Sequence, residues 1–210
     1  MKLSVSLAIA IVLALSPMAP GHARLHDSQE KAADHGSALP SESVYQLPVV
    51  LVDQHGKARE WRTRRGRPQL VAMFYANCRY ICPLIVEAGK AVERQLAPAE
   101  RAKLGVLYIS LDPERDTPAR LAQLGRERRV DDARWTLAAP RAADVRSVAG
   151  VLDVRYRRLS DGEFNHTSAL ILLDADGRIV ARTEKVGSQV DPEFVAAVRS
   201  ALAKGLGTGD

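Results

Sequence analysis

The sequence predicts an α/β domain in which a central mixed sheet is flanked by helices and a small β-hairpin sits at the N-terminal edge. Three observations predict it. Apolar runs at residues 69–74 and 105–111 have the length of buried strands. Between them Leu84, Ile85, Ala88, Val92 and Leu96 recur at helical spacing. Turn residues then break the C-terminal third at Asp174-Ala175-Asp176-Gly177, a hairpin signal. The chain has 210 residues, 46% hydrophobic and 26% charged, enough for one domain with a proper core and too few for two ordinary ones.

The first element is not part of that domain. Lys2, the apolar stretch at 3–15, Ser16-Pro17 and the small-residue junction Gly21-His22-Ala23 read as a secretory signal cleaved after Ala23, with the mature chain starting at Arg24. The stretch is shorter than the roughly 20 residues of a spanning helix, and Pro17 and Pro20 interrupt its far end. An uncleaved N-terminal membrane anchor is the alternative; either way the domain faces an oxidising compartment, the periplasm. Residues 24–43 are polar and without periodicity, a flexible lead-in, and the folded domain is expected over 44–206.

Within the domain, residues 47–52 and the turn Asp53-Gln54-His55-Gly56 open a hairpin, and 69–74 forms the first central strand. The helix carrying Leu84 to Leu96 follows. Residues 105–111 form the second central strand, and Thr117 caps a helix that Pro118 opens, with Leu121 and Leu124 turned inward. A further helix is expected over 141–152, then strands at 169–173 and 179–185. A last helix follows Asp191-Pro192-Glu193 and buries Phe194, Val195, Val198 and Leu202.

Cys78 and Cys82 are the only cysteines, placed directly after the first central strand. At a helix N-terminus the backbone dipole favours thiolate, the form that ligates metals and exchanges disulfides. As a permanent staple the pair would close too short a loop to remove much chain entropy, so a functional role is the better reading. The spacing is Cys-x3-Cys, not the Cys-x2-Cys of thioredoxin-type redox motifs, and no second pair completes a four-sulfur zinc site.

This element order, with cysteines after the first central strand, is that of the thioredoxin-like fold, and the chain resembles the Sco/SenC family. The words that carry the resemblance are Phe74-Tyr75-Ala76-Asn77-Cys78 through Cys82-Pro83, then Ile109-Ser110-Leu111-Asp112-Pro113-Glu114-Arg115-Asp116-Thr117-Pro118, Trp135-Thr136-Leu137, and His166-Thr167-Ser168. The resemblance implies a copper-binding assembly protein, a metallochaperone rather than an enzyme. Such a protein delivers copper to, or prepares the thiols of, the dinuclear copper centre of a haem-copper oxidase subunit, with Cys78, Cys82 and His166 as ligands. An upstream copper donor or thiol reductant would be a second partner. Two thiolates and an imidazole suit Cu(I) better than Cu(II). The chain departs from the family pattern in having Asn165 where an Asp commonly precedes the histidine, and Arg79 where Pro commonly follows the first cysteine. The alternatives are a metal-independent thiol-disulfide oxidoreductase using Cys78 and Cys82 as a redox-active pair, and a peroxidase in which one cysteine attacks and the other resolves.

Other charged groups read as architecture or surface. Asp112 and Asp116 lie in a turn fixed by Pro113 and Pro118, where an Arg115 contact to Asp would hold the loop against the cysteines. Arg62, Arg64, Arg65 and Arg67 crowd one loop and Arg155, Arg157 and Arg158 another, in a chain of net charge +5. Such faces suit an acidic partner or a membrane surface; nucleic acid is excluded by export and by the lack of an aromatic basic platform. Trp61 and Trp135 read as packing residues. A terminus Arg24-Leu25-His26, with His35 nearby, would offer a square-planar nitrogen set for Cu(II).

Overall fold

A computed structural model describes residues 38–78 and 80–204. The signal segment, residues 24–37 of the lead-in with His26 and His35, Arg79, and the last two residues of the expected domain lie outside the described residues.

Strand β1 (Val50–Asp53) turns through Gly56, at φ +74°, into β2 (Ala58–Glu60), so the N-terminal hairpin forms as expected. A short 3-10 turn at Trp61–Arg64 leads to β3 (Gln69–Phe74), every residue of which is buried. After the cysteines come α1 (Ile81–Arg94), the short α2 (Pro98–Lys103) and β4 (Gly105–Ser110), also buried throughout. Next are α3 (Pro118–Glu127), β5 (Trp135–Ala139) and α4 (Val145–Val151). Then follow the ribbon β6 (Tyr156–Arg158) and β7 (Phe164–His166), the pair β8 (Leu170–Leu173) and β9 (Ile179–Thr183), and α5 (Pro192–Lys204).

Among the described residues the main sheet has the order β2-β1-β5-β4-β3-β8-β9. Its centre, β5-β4-β3, is parallel, and both margins are antiparallel, which makes the sheet mixed. Parallel strands are covered on both faces and so read as unbroken apolar runs; that is why β3 and β4 were visible in the sequence. α1 packs on β3 and β8, α3 on β5 and β1, and α5 on β9.

The capping chemistry is as the sequence implies. Thr117 Oγ1 accepts from the Arg120 N–H at 3.3 Å ahead of Pro118, and Asp191 Oδ1 accepts from the Glu193 N–H at 3.3 Å. Both tryptophans are buried. Trp135 Nε1 donates to Glu93 at 2.8 Å, and Glu93 is held by Arg134 at 3.1 Å.

Three sequence expectations change. Residues 39–43 are already part of the domain: Leu39 packs on the core, and the buried Ser43 donates through Oγ to the Asp176 carbonyl at 2.5 Å. Leu84 is 44% exposed, on the outer rather than the inner face of α1. Residues 135–139, 156–158 and 164–166 are strands, with α2 an added turn of helix.

Gly89 marks the closest approach of α1 to the sheet. A Cβ there would lie 2.5 Å from the Tyr108 hydroxyl and 2.8 Å from Trp135 Cη2. The hydroxyl is fixed by donating to the Ile85 carbonyl at 2.7 Å, so it has nowhere to go. Gly89→Ala is expected to lose about 1–3 kcal/mol through overpacking, read as a lower urea midpoint.

Candidate metal and thiol site

The cysteines sit where β3 ends and α1 begins. Tyr80, the residue before α1, provides no side-chain cap. Instead Cys78 Sγ accepts the Cys82 N–H at 3.3 Å, so a sulfur takes the place of the usual capping oxygen. Both cysteines are free and buried.

Their proton affinities part in opposite directions. The Cys78 thiol is held far below its ordinary range, first by a hydrogen bond from the Cys82 side chain; the backbone N–H groups of Cys82 and Tyr80 add to this against the opposing effect of burial. Cys82 is pushed up, first by that same bond to Cys78 and then by burial. One thiolate beside one thiol is the resulting state at neutral pH. Iodoacetamide at pH 6–7 is therefore expected to modify Cys78 ahead of Cys82, with peptide mass mapping as the readout.

His166 reaches the pair from the far side. It ends β7, one strand of a two-stranded ribbon, rather than lying in a loop. Its Nδ1 lies 3.0 Å from the Thr167 carbonyl, which can only accept, so Nδ1 carries the proton. Nε2 is left with its lone pair and faces Cys82 Sγ at 3.8 Å. A backbone carbonyl fixing one ring nitrogen so that the other can ligate is a common orienting device. Asn165 does not provide it: the side chain is exposed on the opposite side of β7, across from Arg157.

A network ties the three donor-bearing segments together. The Ala76 N–H donates to the buried Asp116 carboxylate at 3.0 Å, and the Ala76 carbonyl accepts from Arg120 at 3.0 Å. Ser110 Oγ donates to Asp116 at 2.5 Å and accepts the Asp112 N–H at 2.8 Å. Arg115 pairs with Asp112 and donates to the Gly162 carbonyl in the ribbon turn at 2.6 Å. Glu163 accepts from the Tyr75 hydroxyl at 3.0 Å and from Asn77 Nδ2 at 3.1 Å. The Tyr75 ring meets Phe164 and His166 edge-on, with centroids 5.2 and 5.9 Å apart. The Asp112 to Pro118 turn is thus a brace, with the Asp116 carboxylate turned to backbone and hydroxyl donors and the Asp112 carboxylate to Arg115.

Sequence reasoning missed Tyr75 and Glu163 as members of the site. The signal was there, since Asp161-Gly162 between two short apolar-containing runs is a hairpin dipeptide.

Among the described residues, no three His, Cys, Asp or Glu side chains are already gathered as a ligand cluster. Cys82 and His166 face each other, and Cys78 is engaged with Cys82. Tyr80, 86% exposed, and Leu84 stand in solvent beside these buried sulfurs. Below His166 runs an open groove of about 930 Å³ lined by Ile81, Arg157, Leu159, Phe164 and Val186 among others.

The family model described as SCO1/SenC matches residues 38–203. The chain belongs to the SCO1/SenC family. Similar relatives of this SCO1/SenC chain include the SCO1 protein homolog of Bacillus subtilis, 22% identical over 73% of the chain and 81% of that protein. The mitochondrial Protein SCO2 homolog of Bos taurus is 30% identical over 67% of the chain and 54% of its own length. The chain spans about half the length of two of the three curated relatives it matches, with shares of 48%, 81% and 54%. Among solved structures, Bradyrhizobium japonicum ScoI with copper bound is 28% identical, with a TM-score of 0.62 over 74% of this chain and 98% of that one. The thioredoxin-like arrangement expected from the element order is the fold of the family and of this chain.

Proposed function

We propose that the protein binds copper as Cu(I) through Cys78, Cys82 and His166 and passes it to, or prepares the thiols of, a copper-receiving subunit of a haem-copper oxidase. The observation that carries this reading is the bare Nε2 of His166 facing Cys82 Sγ at 3.8 Å, with Cys78 hydrogen-bonded beside it. Two sulfurs and one imidazole form a soft, low-coordinate donor set that matches Cu(I). Membership of a family whose relatives include a copper-bound ScoI supports it. The exposed Tyr80 and Leu84 offer a partner an apolar rim around the donors. Export through a signal at residues 1–23 into the periplasm would place the domain on the side where such a subunit presents its copper centre. The test is an anaerobic Cu(I) titration of the reduced protein against a competing chelator. One Cu(I) held per chain supports the reading, and loss of every Cu(I) to a weak chelator overturns it.

A second reading is favoured by the thiolate and thiol asymmetry of Cys78 and Cys82, which is that of an attacking and a resolving sulfur. In it the pair reduces a partner disulfide: Cys78 attacks one sulfur, Cys82 displaces the mixed disulfide, and the partner leaves with two thiols while Cys78 and Cys82 become linked. Copper dependence of partner maturation separates the two.

A further inference from the structure

Three of the loop arginines singled out in the sequence, Arg64, Arg65 and Arg67, line a cleft. It lies between the β1–β2 hairpin and the 61–67 segment, has a volume of about 500 Å³, and is lined by Lys57, Arg59, Thr63, Arg64, Arg65 and Arg67 among others. It adjoins Gln69, the first residue of β3, whereas the cysteines follow the last; one strand length, about 20 Å, separates the two sites.

The charges in this cleft are not neutralised from within. Arg62 pairs with Glu60, and Arg65 pairs with Asp176 at 2.8 Å. Among the described residues, Lys57, Arg59, Arg64 and Arg67 have no carboxylate at ion-pairing distance. Asp53, the acid in the lining, spends Oδ1 on the N–H groups of His55 and Lys57, both at 2.9 Å. Arg64 is half-buried, and among the described residues its guanidinium hydrogen-bonds only to the neutral Gln69 Oε1, at 3.4 Å. Burial, and then repulsion from Arg67, hold Arg64 down to about 10. A half-buried guanidinium facing like charges in a concave site is stabilised by a multivalent oxyanion, which accepts forked hydrogen bonds and offsets the repulsion. A flat solvated face would need no such ligand; a cleft of this size fits one tetrahedral anion with its substituent.

We propose that this cleft is a binding site for a phosphate group, free or carried on a phospholipid headgroup, independent of the cysteine site. Held there, the domain would keep its cysteine end turned away from whatever bears the phosphate.

The experiment uses the full chain in four forms: wild type, Arg64→Gln/Arg67→Gln, Lys57→Gln/Arg59→Gln on the exposed hairpin, and Arg94→Gln/Arg126→Gln as an equal charge change on exposed helix positions elsewhere. Melting temperature is read in inorganic phosphate against sodium chloride at matched ionic strength. At about twentyfold above the dissociation constant, phosphate is expected to raise melting by about 4 °C or more in the wild type and the helix variant. Neither cleft variant should respond. If Arg64→Gln/Arg67→Gln fails to fold, the hairpin variant reads the same cleft. Co-sedimentation with phosphatidylglycerol against phosphatidylcholine vesicles then separates the sources. A severalfold loss of phosphatidylglycerol binding in the cleft variants alone assigns a headgroup, and equal binding by all forms assigns a free phosphate group. Absence of a phosphate-specific shift in the wild type, or equal shifts in all four forms, overturns the proposal.

Discussion

Cys82→Ala is expected to weaken Cu(I) binding by well over 100-fold, and His166→Ala by about 10- to 100-fold, the size of effect that perturbing a ligand's orientation usually has. The order follows from the donors. Thiolates supply most of the attraction for a soft, singly charged ion, whereas the imidazole closes an already bonded pair. Proton release sharpens the test. Cys78 is held down by its bond from Cys82 and is already thiolate at neutral pH; Cys82 is pushed up by that bond and by burial, and must lose its proton to bind. Between pH 6 and 8 the apparent affinity should therefore rise about tenfold per pH unit, one proton per ion. A slope of about 2 would mean that both sulfurs start as thiols. Chelator competition under argon at three pH values measures it, and retention of tight binding by Cys82→Ala would remove the proposed ligand set.

Much of the fold was legible because its centre is buried on both faces. β3, β4 and β8 are buried throughout and apolar but for Gln69 and Ser110 at strand ends, so length and flanking turns identify them. β5 was read only as part of a family word. Trp135-Thr136-Leu137-Ala138-Ala139 is short and alanine-rich, and its strand character comes from pairing with β4 on one side and β1 on the other. The ribbon was harder still. Tyr156-Arg157-Arg158 and Phe164-Asn165-His166 bury little, and their pairing is supported by tertiary bonds from Tyr75 and Arg115 that no local pattern announces.

The same division holds at the site. Cys78 and Cys82 were legible from their spacing after an apolar strand, and the arginine brace on the Asp112 turn from its prolines. That Thr167 rather than Asn165 orients His166 was not legible, since alternation along β7 decides it: once residues 164–166 extend, Asn165 and His166 must face opposite sides. An Asn165→Asp exchange should therefore change Cu(I) affinity less than threefold, a comparison made in the same chelator assay.

Asp116→Ala should lower stability by about 2–4 kcal/mol, because it orphans two buried donors, the Ala76 N–H and the Ser110 hydroxyl. Asp116 is 2% exposed, and burial raises its proton affinity above the ordinary value of 3.8 despite both hydrogen bonds. The folded state thus binds the proton more readily than the unfolded chain. Stability from this group is largest below the unfolded value and declines as pH rises from 3.8 through the folded value. Asp116→Asn keeps an acceptor and removes the buried charge, so the stability difference between wild type and Asp116→Asn should move in favour of the wild type as pH falls toward 4, measured by urea unfolding at several pH values. The alanine variant separates brace from core. If Asp116 holds the Ala76 to Cys78 segment as the geometry shows, Cys78 should alkylate faster in Asp116→Ala under conditions where the global fold is intact. An unchanged rate at equal foldedness would mean that Arg120, bonded to the Ala76 carbonyl, holds the segment by itself.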